Sequence, residues 1–385
     1  MYFVMKLVSM LALAFFANAS ALDTYSTTKG DTGPVDAVLF RTHLLDPLIV
    51  HKVAEIVQSI NYFPSSNATR YELTLLYDEE MLLSEQNVKS KLREFGFEPD
   101  GSGIHYLGLS LRDFTRYPAV KPLPVSKSHQ QHLGYSTWWQ LRGGGELSPK
   151  KHWNWRFVWC LEHDMAFTGG NWRVVLDGHL ASPFKMIDFL SWNIGWVARG
   201  DKVHGGGQWN ARMRHGSLNR VPYADIAVHF GPIVRFSNKF LGYMHHQSMK
   251  GDVGHSEVAP STMCNITNWC QMSNLSEAFV GLINYKLPVE VTSKVYHALE
   301  TLAPMRLFHP VRNVGSASSK ESVQHIIAAS NKGEYFVRDD RRVDRAANNT
   351  ALCLLRNPRP LRPSYNCPIG CPHYLQRTCP TVNCM

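Results

Sequence analysis

Apolar residues follow two alternating periods along the first third of the chain. Residues 35–41 (VDAVLFR) and 71–77 (YELTLLY) are short runs rich in β-branched and aromatic residues, which predict strands. Between them Leu48, Ile49, Val53, Ile56, Val57 and Ile60 recur at helical spacing, which predicts a helix over 48–60. A short amphipathic helix over 88–95 and a third strand over 105–111 follow. Strands alternating with helices predict a parallel sheet with crossover helices. Further along, residues 135–141 read as a helix carrying Trp138 and Trp139. Residues 174–176 start a strand or helix, and further short runs cover 188–192 and 194–196. Residues 227–236 read as a strand broken at Gly231-Pro232, with a helix over 237–246 after it. The run Gly143-Gly144-Gly145 lacks the lysine context of a phosphate loop and reads as a connection. The basic, glycine-containing stretch 200–220 reads as a lid or acceptor loop.

The pattern is densest at Arg156-Phe-Val-Trp-Cys-Leu-Glu162-His163-Asp164-Met-Ala-Phe-Thr-Gly169-Gly170-Asn171-Trp172. Residues 157–161 are continuously apolar, as in a strand buried on both faces. Two acids follow with one residue between them. On a strand, residues i and i+2 share a side, about 6.5–7 Å apart. Glu162 and Asp164 are therefore expected together at the carboxyl end of a core strand, where open α/β sheets bind ligands. Two carboxylates there suit a divalent cation, and a cation suits a diphosphate. Acids in that place also serve simply to cap a strand. Arg41 and Asp78 end the first two strands and are candidates for holding a phosphate, ribose or base.

Composition narrows the class. Of 385 residues 44% are hydrophobic, enough for a large core. The formal net charge is +9, but Lys and Arg are scattered and no nucleic-acid motif is present, so anionic small molecules or glycans fit better than a nucleic acid. At the N-terminus Lys6 precedes an apolar run over 7–16 and then Ala19-Ser20-Ala21. This reads as a cleaved secretory signal, the apolar run falling short of the roughly 20 residues of a membrane span, with an uncleaved Golgi anchor as the alternative. No later stretch reads as a membrane span. Eight cysteines agree with an oxidising compartment. Cys264 and Cys270 are close enough to bridge locally, Cys160 falls in the core strand, and Cys353, Cys367, Cys371, Cys379 and Cys384 lie in a Pro-rich tail. Glycosylation sequons begin at Asn67, Asn265, Asn274 and Asn348. The expected layout is a signal over 1–21, a lead-in over 22–34, a catalytic domain over 35–314 and a disulfide-tied extension over 315–385.

Residues 158–172 resemble GT-A-type nucleotide-sugar glycosyltransferases. More narrowly, they resemble a poorly characterised eukaryotic group whose core reads apolar-Trp-x-x-Glu-x-Asp-x-x-x-Thr-Gly-x-Trp. Gly251-x-x-Gly254-His-Ser256-Glu257-x-x-Pro260-x-Thr262-x-Cys264 resembles the acceptor-side loop of the same group, and Leu307-Phe308-His309-Pro310-Val311 a C-terminal His-Pro element. The resemblance implies a GT-A-like (Rossmann-like) fold with a mixed, mostly parallel sheet flanked by helices. It implies Mn2+ or Mg2+ on Glu162 and Asp164, with His309 as third ligand, and a nucleotide-diphosphate sugar as donor. A glycan or glycoprotein acceptor is implied too, in the Golgi or ER lumen or outside the cell. Glu stands where the commoner motif has its first Asp.

Sugar transfer also needs a base for the acceptor hydroxyl. Glu257 is the first candidate and Asp252 the second. Trp172, Trp192 and Trp196 are candidates for stacking on sugar, although aromatics so spaced more often fill a core. Two other classes compete. A glycan-binding protein that kept the fold and lost turnover shares every motif. A glycoside hydrolase needs carboxylates flanking a bond, about 5–5.5 Å apart when retaining, whereas acids on one strand face point in parallel.

Overall fold

The computed structural model describes residues 34–63, 69–117, 127–143, 155–180, 184–199, 214–275 and 307–309. The expected signal over 1–21, residues 200–213 of the stretch expected to act as a lid or acceptor loop, the sequons at Asn67 and Asn348 and the five cysteines from Cys353 onward lie outside them. Strands β1 (Val35–Thr42), β2 (Arg70–Asp78), β3 (His105–Leu109), β4 (Trp155–Glu162), β6 (Phe189–Trp196), β7 (Ala227–Ser237) and β8 (Met272–Asn274) form one sheet in the order β3-β2-β1-β4-β7-β6-β8. The pairs β1–β2, β2–β3, β1–β4 and β6–β8 are parallel, and β7 runs antiparallel to both β4 and β6. This is the mixed, mostly parallel α/β sheet that the resemblance implies; the patterning predicts its parallel half, β1 to β4. β4 lies at its centre, and β5 (Ala166–Phe167) pairs separately with β9 (Leu307–Phe308).

Helices cover both faces. Helix α1 (Pro47–Tyr62) begins where the Asp46 carboxylate accepts the Ile49 N–H at 2.8 Å, the usual side-chain cap of a helix start. Its residues Ile49, Val53 and Ile56 pack with Val38 and Phe40 of β1. The alternate β1 residues, Ala37 and Leu39, face a second core with Trp138, Phe240 and Met263. These come from α5 (Lys127–Trp138), α7 (Asn238–Met249) and α8 (Ala259–Asn265). Short helices α2 (Glu79–Leu82), α3 (Glu85–Glu94), α4 (Leu111–Phe114) and α6 (Arg173–Gly178) complete the described set. Among the described residues no helix is long and apolar enough to cross a membrane. Cys264 and Cys270 are bridged, and Cys160 is a buried free thiol.

Two expectations are corrected. Residues 227–237 form one continuous strand: Gly231-Pro232 makes a bulge, where the register against β6 jumps from Ser191↔Val234 to Trp192↔Phe230. Proline has no N–H for a ladder, so it sits where pairing lapses. Second, β4 ends at Glu162. Asp164 lies in a turn closed by the Met165 N–H donating to the Glu162 carbonyl at 3.0 Å.

The segment after that turn is clamped to α1. Buried Arg173 donates Nε to the Ser59 carbonyl at 3.0 Å, Nη2 to the Ile60 carbonyl at 2.7 Å and Nη1 to the Thr69 carbonyl at 3.0 Å. Two of these are among the last carbonyls of α1, which have no partner inside the helix. Replacing Arg173 by Met strands three buried acceptors and is expected to destabilise the fold by about 3–5 kcal/mol. Urea unfolding measures this, and a loss under about 1 kcal/mol would show the clamp to be dispensable.

Candidate metal centre

The four parallel strands β1 to β4 deliver their carboxyl ends to one edge of the sheet. β2 and β3 lie on one side of β1 and β4 on the other, so the chain order reverses between β1 and β4. Such a reversal opens a crevice for ligands. There Arg41 is the register partner of Glu162. On the β2 side of β1, Arg41 and Asp78 line a small open cleft of about 40 Å³ with Thr42, His43, Tyr77 and Leu109. The Asp78 carboxylate also caps α2, accepting the Glu80 N–H at 2.9 Å.

At this edge three ligand atoms, one each from Glu162, Asp164 and His309, lie within 4.8 Å of one another. His309 Nε2 is 3.1 Å from Asp164 Oδ1 and 3.8 Å from Glu162 Oε2. His309 arrives from far downstream because β9 pairs with β5, matching Phe308 to Ala166 and Leu307 to Phe167. Its ring packs edge-on against Phe230, with centroids 5.2 Å apart. Asp164 is 2% and His309 4% exposed, while the Glu162 side chain is 24% exposed, so the cluster opens on one side. Two carboxylates and one imidazole with an open side fit Mn2+ or Mg2+, which favour oxygen donors.

The charges around His309 follow from this geometry. Burial pushes its pKa down, but the carboxylates of Asp164 and Glu162 outweigh that and raise it to about 9. Without metal, His309 therefore carries a proton at neutral pH and bridges the two acids. A cation must displace that proton, because only neutral imidazole is a ligand. Apparent Mn2+ affinity is expected to rise about tenfold per pH unit between about pH 6 and 8 and to level off near pH 9. Calorimetry in buffers of different ionisation enthalpy counts the released proton; a count near zero contradicts the assignment. In the metal-free protein the sign is opposite. A raised folded-state pKa adds stability below the ordinary 6.5 and loses it as pH climbs through about 9.

Glu257, in the loop between α7 and α8, is held against the β7 residues that reach this edge. Its carbonyl accepts the His229 N–H at 2.9 Å and its Oε1 faces the Gly231 N–H at 3.4 Å. Gly231 permits this approach, since a Cβ there would lie 3.3 Å from Glu257 Cγ. Phe230, next to Gly231, is the residue that packs on His309. Asp252 is engaged elsewhere: its carboxylate accepts the Ser217 N–H at 2.5 Å and the Ser217 hydroxyl at 2.7 Å. Gly216, at φ +66°, leaves room for that carboxylate. Trp172 is 1% exposed and packs on Phe167, which makes it core. Half-buried Trp192 lies against Phe230, and Trp196 donates to Asn265 Oδ1 at 3.3 Å.

The sequence reading missed Lys52. It is fully buried on α1, and its Nζ donates to the His163 carbonyl at 2.9 Å, between the two acids. Its signal was legible: Ile49, Lys52, Val53 and Ile56 share one helix face, and a charge on an apolar stripe calls for a buried partner.

No protein-family model and no curated protein matches the chain in sequence. Solved structures give remote likenesses. Mouse xyloside xylosyltransferase 1, in its apo form, is similar at 10% identity and a TM-score of 0.36, over 71% of this chain and 97% of that one. Mannosyltransferase PcManGT from Pyrobaculum calidifontis, in complex with GDP-Man and Mn2+, is similar at 12% identity and a TM-score of 0.34, over 83% and 70%. Core-mannan synthase A from Aspergillus fumigatus, in its Mn/GDP form, is similar at 10% identity and a TM-score of 0.32, over 65% and 74%. Likenesses this remote assign no residue role and no activity to this chain.

Proposed function

We propose that the chain is a metal-dependent glycosyltransferase that moves a sugar from a nucleotide-diphosphate donor to a glycan, protein or lipid acceptor in the secretory pathway. The observation that carries this is the meeting of Glu162, Asp164 and His309 at the sheet edge where the strand order reverses between β1 and β4. A bound Mn2+ or Mg2+ acts there as a Lewis acid that neutralises a leaving diphosphate. Glu162, Asp164 and neutral His309 would hold the cation, and Arg41 and Asp78, at the ends of β1 and β2, would contact the nucleotide. Glu257 accepts the acceptor proton, and its ties to His229 and Gly231 fix it for that role. Asp252, tied to Ser217, shapes the loop that carries Glu257.

The acids are aimed at one point shared with His309, not at opposite sides of a bond. That arrangement suits a cation and speaks against a hydrolase. The N-terminal signal and the bridged Cys264–Cys270 pair support passage through an oxidising compartment. The test is a panel of nucleotide sugars assayed for Mn2+-dependent thermal stabilisation and turnover. Stabilisation without turnover would favour a binding protein on the same scaffold. No stabilisation by any nucleotide sugar with metal would end the proposal.

A further inference from the structure

We infer that Lys52 is the positioning residue of the metal-ligand turn: its ammonium, donated to the His163 carbonyl, holds the backbone in the shape that aims Glu162 and Asp164 at His309. The inference rests on the metal-site reading above and adds the residue that builds the site. Lysine is rarely buried without a partner. Lys52 is 0% exposed, and its Nζ lies 2.9 Å from the His163 carbonyl. That carbonyl belongs to the peptide joining His163 to Asp164, so rotating it would swing the Asp164 carboxylate away from His309. The other hydrogen bond of the turn, from the Met165 N–H to the Glu162 carbonyl, constrains the Glu162 side. Together the two bonds hold both ends of the short segment carrying the acids.

Helix α1 repeats the grip two turns later. Ser59 Oγ accepts the Trp172 N–H at 2.9 Å and donates to the Glu55 carbonyl at 2.6 Å. Lys52 and Ser59, seven residues apart, share a helix face about 10 Å long. One rigid element thus holds the ligand segment near its start and its end. Supports of this kind, behind the ligands, set metal affinity by fixing ligand direction.

The test compares the parent chain with Lys52→Met, which keeps the length and removes the donor. Mn2+ affinity is measured by calorimetry, and folding by thermal unfolding in EDTA. Lys52→Met is expected to bind Mn2+ about 10–100-fold more weakly while still folded. A folded variant whose affinity stays within about twofold of the parent overturns the inference. A purely structural lysine would give that result, lowering the unfolding temperature without moving the affinity. Should the variant not fold, the parent protein is labelled with 15N at its lysine side chains and titrated with Mg2+. The resolved signal of a buried, hydrogen-bonded ammonium is expected to shift as the site fills; an unmoved signal at saturation overturns the inference. A parent chain that binds neither cation overturns the metal-site reading itself, a result distinct from a variant that matches a binding parent.

Discussion

Asp164→Ala is expected to weaken Mn2+ binding by more than about 100-fold, beyond the usual cost of losing a supporting residue, because it removes a ligand outright. Asp164 is 2% exposed and its Oδ1 is the nearer of the two acid contacts to His309 Nε2, at 3.1 Å against 3.8 Å. Its loss leaves Glu162 and His309, and a single carboxylate neutralises half the charge that the pair does. The carboxylate also holds up the His309 pKa, so in the variant, with Glu162 alone left to oppose burial of the ring, the pKa falls. The variant is therefore expected to bind metal weakly and to release less proton when it does. Calorimetry with Mn2+ reads the first effect, and histidine titration by NMR the second. Metal-dependent binding of a nucleotide sugar that survives in Asp164→Ala would show that the cation sits elsewhere.

Glu257→Gln is expected to lower kcat by about 10²–10⁴-fold with donor and Mn2+ affinities unchanged. The substitution keeps size and shape, and its amide oxygen still meets the Gly231 N–H. What it removes is the capacity to take a proton. The split between kcat and binding is the informative readout, since a positional disturbance would move both. A fall of less than about tenfold would strip Glu257 of the base role.

Much of this site was visible in the chain before any coordinates, and the exceptions have physical causes. The strand predicted over 35–41 is β1, ending with Arg41 and Thr42, and the one predicted over 71–77 is β2, ending with Asp78. Short apolar runs mark buried parallel strands well, because both faces are covered. The acids at 162 and 164 are legible by residue type, but strand period does not place Asp164. The strand stops at Glu162, and a turn shaped by Lys52 and Met165 brings Asp164 round. Periodicity is local and does not register a lysine more than a hundred residues upstream. His309 entered only through resemblance, since a two-residue ladder such as β5–β9 leaves no periodic trace.

That short ladder has a consequence for biogenesis. Once translation has passed Leu275, every strand of the seven-membered sheet has been synthesised, yet the imidazole that completes the cluster has not. The three-ligand cluster is therefore complete only after Leu307–His309 has been made and paired with β5, later than every strand of the main sheet.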